Sequence, residues 1–159
     1  MNKKEKTFIF LDFDGVLNSN RYISDNFGSF KAPKEKTYYI LEHLDPLAIK
    51  RVNKLLEILN AEVVISTAWR KAFNLETIIE ILKSKGFTGN VIGETKILYT
   101  SRGVEIQDWL NENRVAADQI IILDDNNDML HLSHRLIRTS FDDGMLDKHI
   151  LQAVSLINK

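Results

Sequence analysis

Four short segments, residues 7–12, 62–66, 119–123 and 135–139, read as β-strands, and most of them are unbroken apolar runs rather than alternating ones. A strand wetted on one face alternates polar with apolar residues, so continuous runs imply strands covered on both faces, the condition of a parallel sheet between helical layers. Asn90-Val-Ile-Gly93 is a weaker fifth strand. Helical patterns fill the intervals. Asp45-Pro46 reads as an N-cap with proline in the first turn, followed by a stripe of Leu47, Val52, Leu55, Leu56 and Leu59. Leu75, Ile78, Ile79 and Leu82 make a second stripe that Gly86 stops, and Val104, Ile106, Trp109 and Leu110 place a third helix from near Ser101. Strand and helix in alternation predict a Rossmann-like three-layer α/β/α sandwich with a central parallel sheet.

The ends of these strands carry the charged residues of interest. In Phe8-Ile-Phe-Leu-Asp12-Phe-Asp14-Gly15-Val16-Leu17 two carboxylates stand two positions apart where the first apolar run stops, so they leave a buried sheet together. Glu62-Val-Val-Ile-Ser66-Thr67-Ala-Trp69-Arg70 ends the second run in two hydroxyls, and Ile120-Ile-Ile-Leu123-Asp124-Asp125-Asn126-Asn127-Asp128 ends another in three acids within five residues. Acids crowded like this repel one another unless a cation sits among them. Between the first strand and the first long helix lies an aromatic and basic connection, residues 18–44, with Arg21, Tyr22, Phe27, Phe30, Lys31, Lys34, Lys36, Tyr38 and Tyr39. A connection of that length predicts a small cap or lid inserted after the first strand.

With 159 residues the expectation is one domain spanning 1–159. The chain has no cysteine, which leaves its chemistry to carboxylates, hydroxyls and imidazoles. His131 and His134 share helical spacing, but without cysteines or an HExxH arrangement they read as packing or surface residues rather than zinc ligands. A glycine-rich nucleotide-triphosphate loop and a dinucleotide fingerprint are both missing. Basic residues number 21 against 22 acidic ones, so the overall field provides no general attraction for nucleic acid. Asp12 and Asp14 interrupt the first apolar run before a signal-peptide core forms, and no stretch reaches the roughly 20 apolar residues of a membrane span; the cytoplasm is the expected location.

Taken in order, these segments resemble the motifs of the haloacid-dehalogenase-like (HAD) hydrolase superfamily over nearly the whole chain outside residues 18–44. The resemblance implies that Asp12 is a nucleophile accepting a phosphoryl group and Asp14 the general acid and base. It further implies that Mg2+ is held by Asp12, the Asp14 carbonyl, Asp124 and Asp125, with either of the last two as the direct ligand and Asp128 behind them. Ser66, or Thr67 if the register differs by one, would hold a phosphate oxygen. Arg102, with Lys96 as the alternative, would balance the phosphate and the aspartates. Trp69, Arg70 and Arg21 are expected at the substrate, and Glu105 is expected to face solvent. The Ser-Thr-Ala-Trp-Arg run, the Arg-Gly helix start and the Leu-Asp-Asp segment are also similar to the phosphatase domains of nucleic-acid end-repair proteins. The implied activity is that of a magnesium-dependent phosphomonoesterase on a nucleotide or polynucleotide 3'-phosphate. A phosphatase of small metabolites or phosphoproteins, phosphotransfer to another acceptor, and a noncatalytic phosphate-binding module remain alternatives. The partner is a phosphorylated small molecule or a nucleic-acid terminus, with no membrane and no obligate protein partner.

Overall fold

The structure is a computed structural model that describes residues 6–30 and 41–158. Its centre is a five-stranded, wholly parallel sheet in the order β3-β2-β1-β4-β5. The strands are β1 (Thr7–Leu11), β2 (Ala61–Ile65), β3 (Val91–Glu94), β4 (Ile120–Asp124) and β5 (Leu136–Arg138). All five stand within a residue or two of the expected segments. The register sets Phe8 between Glu62 and Ile120, so β1 is the middle strand.

Alternate residues of each strand feed two separate cores. Ile9, Leu11, Val63, Ile65, Ile121 and Leu123 pack on one face against α2 (Pro46–Leu59), α3 (Leu75–Ser84) and α5 (Asp147–Ile157). Phe10, Val64, Ile120 and Ile122 pack on the other against Ile106, Trp109 and Leu110 of α4 (Arg102–Asn113) and against Leu132. The layered α/β/α arrangement is thus the one the continuous apolar runs predict.

Local chemistry sets the helix ends. Asp45 caps α2 by accepting from Leu47 N at 2.8 Å, with Pro46 in the first turn and Asn60 in the left-handed conformation at the C-terminus. Asn74 caps α3 by accepting from Thr77 N. Two residues of the expected stripes face outward instead: Leu47 stands at the exposed start of α2, and Val104 lies on the solvent side of α4. A helix α1 (Asn20–Asn26), capped by Ser19, follows the first loop and continues into a 3-10 turn over Phe27–Ser29. It is tied to the far end of the chain through Asn20 Nδ2 on Asp142 and an Arg21–Asp143 ion pair. Much of the expected cap, residues 31–40, lies outside the described residues.

Candidate active site

In a parallel sheet every strand delivers its following loop to the same edge, and here the ladder runs a step past the strands themselves. Asp12 N donates to Leu123 O, Ser66 N to Leu11 O, Thr95 N to Ile65 O and Thr139 N to Asp124 O, each at 2.9–3.1 Å. Those bonds fix the positions from which the polar side chains depart. Gly15 makes the closest approach possible. Its φ is +77°, and a Cβ there would sit 2.5 Å from Asp125 Cγ, so only glycine lets the first loop lie against the β4 loop. Thr139 Oγ1 donates to Gly15 O at 2.6 Å and ties β5 to the same loop.

Carboxylate oxygens of Asp12, Asp124 and Asp125 all lie within 4.8 Å of one another. Asp12 is 5% exposed and Asp124 fully buried. Burial, then the Asp12 charge, push the Asp124 carboxyl up to about 8 in the metal-free protein, against the partial relief that Arg102 provides. Burial also raises Asp12 despite Arg102, and raises Asp125. Arg102 Nη1 lies 3.4 Å from Asp12 Oδ1 and 3.2 Å from Asp124 Oδ2. Burial works against its charge, but Asp12 and Asp124 outweigh burial and hold the guanidinium above its ordinary range. Two of the three carboxylates thus lie against Arg102, and Asp124 Oδ2 is buried with no hydrogen-bond donor. An all-oxygen, anionic donor set with an unsatisfied buried oxygen fits a hard divalent cation such as Mg2+.

Asp14 is arranged differently from its neighbours. Its carboxylate is absent from the cluster and turned toward two neutral donors: Asn18 Nδ2 at 2.8 Å and the Trp69 indole Nε1 at 3.2–3.3 Å from both oxygens. Asn18 also accepts from Gly15 N at 2.9 Å, so one amide side chain closes the loop and orients the acid. Trp69, expected to stack on substrate, is instead nearly buried, edge-on to Phe13 at 5.2 Å, with its N–H on Asp14.

Ser66 and Thr67 both reach the site edge, and both are fully buried. Ser66 Oγ has no hydrogen-bond partner, whereas Thr67 Oγ1 accepts from Trp69 N and its hydroxyl favours the ionised form of Asp12. Arg102 opens α4, whose first turn is held by Asp128: Oδ2 accepts from Arg102 N at 3.0 Å and the Asp128 carbonyl from Gly103 N at 3.1 Å. A Cβ on Gly103 would collide with Met129, so glycine is what allows that turn to seat. Lys96, the alternative cation, points elsewhere and pairs with Asp108 and Glu112.

One expectation of solvent exposure needs correction, and two residues expected at the substrate are engaged by other residues of the chain. Arg70 is drawn inward: Nε donates to Thr67 O at 2.6 Å, Nη1 to Thr95 Oγ1 at 2.6 Å and to the Thr95 carbonyl, and Nη2 to Glu105 Oε2 at 2.9 Å. Glu105 does not face solvent; it is 5% exposed and its other oxygen accepts from Leu98 N at 2.9 Å. The reason is the helical period: Glu105 stands one turn before Trp109, on the buried face, and Arg70 supplies the charge that makes its burial tolerable. Arg21 is spent on Asp143 at the surface. Asn18 and Thr95 were the residues the sequence did not single out, Asn18 because it falls where the first motif gives way to the insertion.

Among the described residues no helix is long and apolar enough to cross a membrane. No curated protein and no solved structure matches the chain. A family model does, over residues 8–150, and it is described as the HAD domain in Swiss Army Knife RNA repair proteins. That span takes in Asp14, Ser66, Arg102 and the acidic cluster of Asp12, Asp124 and Asp125 typical of HAD chemistry, and most of the 159 residues; the chain belongs to this family of the HAD hydrolase superfamily.

Proposed function

We propose that the chain is a magnesium-dependent phosphomonoesterase that works through an aspartyl-phosphate on Asp12, with a nucleotide or polynucleotide 3'-phosphate as substrate. The observation that carries this reading is the division of labour between the two first-loop aspartates. Asp12 sits in the cluster with Asp124 and Asp125 against Arg102, and Asp14 is held outside it by Asn18 and Trp69. A nucleophile must meet the phosphorus, whereas an acid must meet the leaving oxygen, so two carboxylates of one loop need separate supports.

Asp12, Asp124 and Asp125, with the Asp14 carbonyl, would hold Mg2+, which when bound supplies positive charge against the phosphate and the crowded carboxylates. Asp12 attacks phosphorus through a carboxylate oxygen, and the P–O bond to the leaving alcohol breaks as Asp14 gives that oxygen its proton. Water then gives a proton back to Asp14 and attacks the aspartyl-phosphate, releasing inorganic phosphate and restoring both carboxyl groups. Arg102 and the Ser66 hydroxyl hold the non-reacting phosphoryl oxygens. The RNA-repair setting in the family's description and the similarity to end-repair phosphatase domains favour a nucleic-acid end as substrate.

The test is phosphate release with and without Mg2+ from 3'- and 5'-phosphorylated oligonucleotides, mononucleotides, sugar phosphates and a phosphopeptide, with Asp12→Asn as control. Turnover of the 3'-phosphates, lost in Asp12→Asn, is the expected result. Preference for sugar phosphates or the phosphopeptide would overturn the substrate, and silence from folded, Mg2+-binding protein would overturn the enzyme.

A further inference from the structure

Beside the aspartate cluster lies a cavity of about 320 Å3, lined among others by Ala68, Arg70, Lys71, Tyr99 and Glu105 and sharing Arg102 with the cluster. Its rim holds an unusual residue. Tyr99 has φ +55° and is 88% exposed. The other described non-glycine residues with positive φ are Asn60 and Arg114, which terminate α2 and α4, and Leu130, which opens a 3-10 helix. Tyr99 ends no helix. A bulky side chain in the left-handed region is disfavoured, and leaving its ring in water recovers nothing from burial. Lys71 Nζ stands 5.7 Å from the ring centroid, on the outer wall of the same cavity.

The loop that presents this ring is firmly anchored. Arg70 grips Thr95 through both its carbonyl and its hydroxyl and also reaches Lys96 O, and Glu105 takes the N–H of Leu98, the residue before Tyr99. Arg70 and Glu105 are each less than a tenth exposed as side chains. A buried ion pair therefore holds an exposed aromatic ring in a disfavoured backbone conformation, next to Arg102, which itself touches Asp12.

We propose that Tyr99 and Lys71 form a base-stacking subsite for the nucleotide that carries the phosphate on Asp12, with the base on the Tyr99 ring and the ammonium of Lys71 on the backbone of the strand. This deepens the function proposed above and rests on it for the position of the phosphate. An exposed aromatic face beside a basic side chain is how single-stranded nucleic acid is held without regard to sequence, because every base has a π-face. A cavity of about 320 Å3 suits one nucleoside and is too small for a duplex end with both strands stacked.

The experiment uses the full chain carrying Asp12→Asn, with Mg2+, so that binding is read without turnover. A fluorescently labelled, 3'-phosphorylated single-stranded oligonucleotide is titrated by anisotropy, and a 3'-mononucleotide and inorganic phosphate are used as competitors. Tyr99→Ala is expected to weaken the oligonucleotide and the mononucleotide by about 5- to 150-fold, and inorganic phosphate by a much smaller factor. Tyr99→Phe, which keeps the ring, is expected to restore binding. Lys71→Ala is expected to lower the slope of log K against log salt for the oligonucleotide by about 0.7. Equal losses for nucleotide and inorganic phosphate, or no loss for either, would overturn the subsite. A loss confined to the oligonucleotide would overturn the assignment of the stacked base to the phosphorylated residue. Failure of the catalytic reading is separable: parent protein that binds nucleotide through Tyr99 yet releases no phosphate would sink the enzyme and keep the subsite.

Discussion

Replacing Glu105 with alanine tests whether the Arg70–Glu105 pair is a buried support rather than a surface contact. The two side chains are 4% and 7% exposed and meet at 2.9 Å. Removing one partner of a buried, hydrogen-bonded pair costs about 3–5 kcal/mol, chiefly because the other charge is left uncompensated. An unfolding entropy of about 2.1 cal/mol/K per residue, over 159 residues, gives roughly 0.33 kcal/mol/K, so that loss lowers the melting temperature by about 9–15 °C. The assay is thermal unfolding followed by circular dichroism, at fixed pH and with Mg2+ present. The paired replacement Arg70→Met with Glu105→Leu removes both charges and fills the space, and is expected to recover most of the loss. A fall of less than about 3 °C for Glu105→Ala would refute the reasoning, since a pair that water can replace would give that result. So would a double variant no more stable than the single one, which would trace the loss to packing alone.

Three further outcomes follow from the site. Without metal, Asp124 titrates near pH 8 rather than near its unfolded value of 3.8, so the native state binds the extra proton and stability falls as pH rises between those values, then levels. Melting in EDTA from pH 5 to 9 checks this against Asp124→Asn, which should lose that part of the decline, and Mg2+ should stabilise the parent more as pH rises. Gly15→Ala forces a Cβ onto Asp125 and an alanine into a left-handed conformation that costs about 1–2 kcal/mol before the collision is counted. The Mg2+ concentration for half-maximal activity should therefore rise by about tenfold or more, and an unchanged value would contradict the close approach of the two loops. Trp69→Phe keeps an aromatic ring against Phe13 but removes the N–H from Asp14. Losing one of its two donors leaves the Asp14 carboxyl less well oriented, and with Asn18 still in place kcat should fall about tenfold with KM nearly constant. A change confined to KM would place Trp69 at the substrate instead.

The sheet was legible because parallel strands are buried on both faces, and a run such as Ile120-Ile-Ile-Leu123 has few other uses. Asp12 and Asp124 were legible for the same reason: an acid that ends such a run must leave the sheet at the edge its neighbours share. The third helix kept the expected face at Ile106, Trp109 and Leu110 but not at its start. Val104 and Glu105 are adjacent, and hydropathy alone sends the valine inward; the structure exposes Val104 and buries Glu105 because Arg70, on a different element, is there to receive it. Nothing in either local segment announces that meeting. Trp69 and Arg70 have a similar history. Both types are common at nucleic-acid sites, so their position after Ser66-Thr67 suggested contact with substrate; each also holds another part of the site, Asp14 in one case and the loop before Tyr99 in the other. Tyr99 carried no sequence signal, since a left-handed backbone angle at a tyrosine is invisible in the pattern of residue types.

The central place of β1 has a bearing on how the chain is made. β1 is synthesised before the other four described strands and pairs with β2 on one side and β4 on the other. About 60 residues separate the end of β2 from the end of β4, which at ribosomal rates of about 5–20 residues per second is roughly 3–12 seconds. For that interval one edge of an apolar strand is open on the nascent chain, a template for pairing with a neighbouring polypeptide. The acidic pair that follows β1 ends this edge in charge, and Asp12 gains its cluster neighbours Asp124 and Asp125 only once β4 has closed it. Newborn chains should therefore acquire protection from aggregation and a complete aspartate cluster in a single event, the docking of β4.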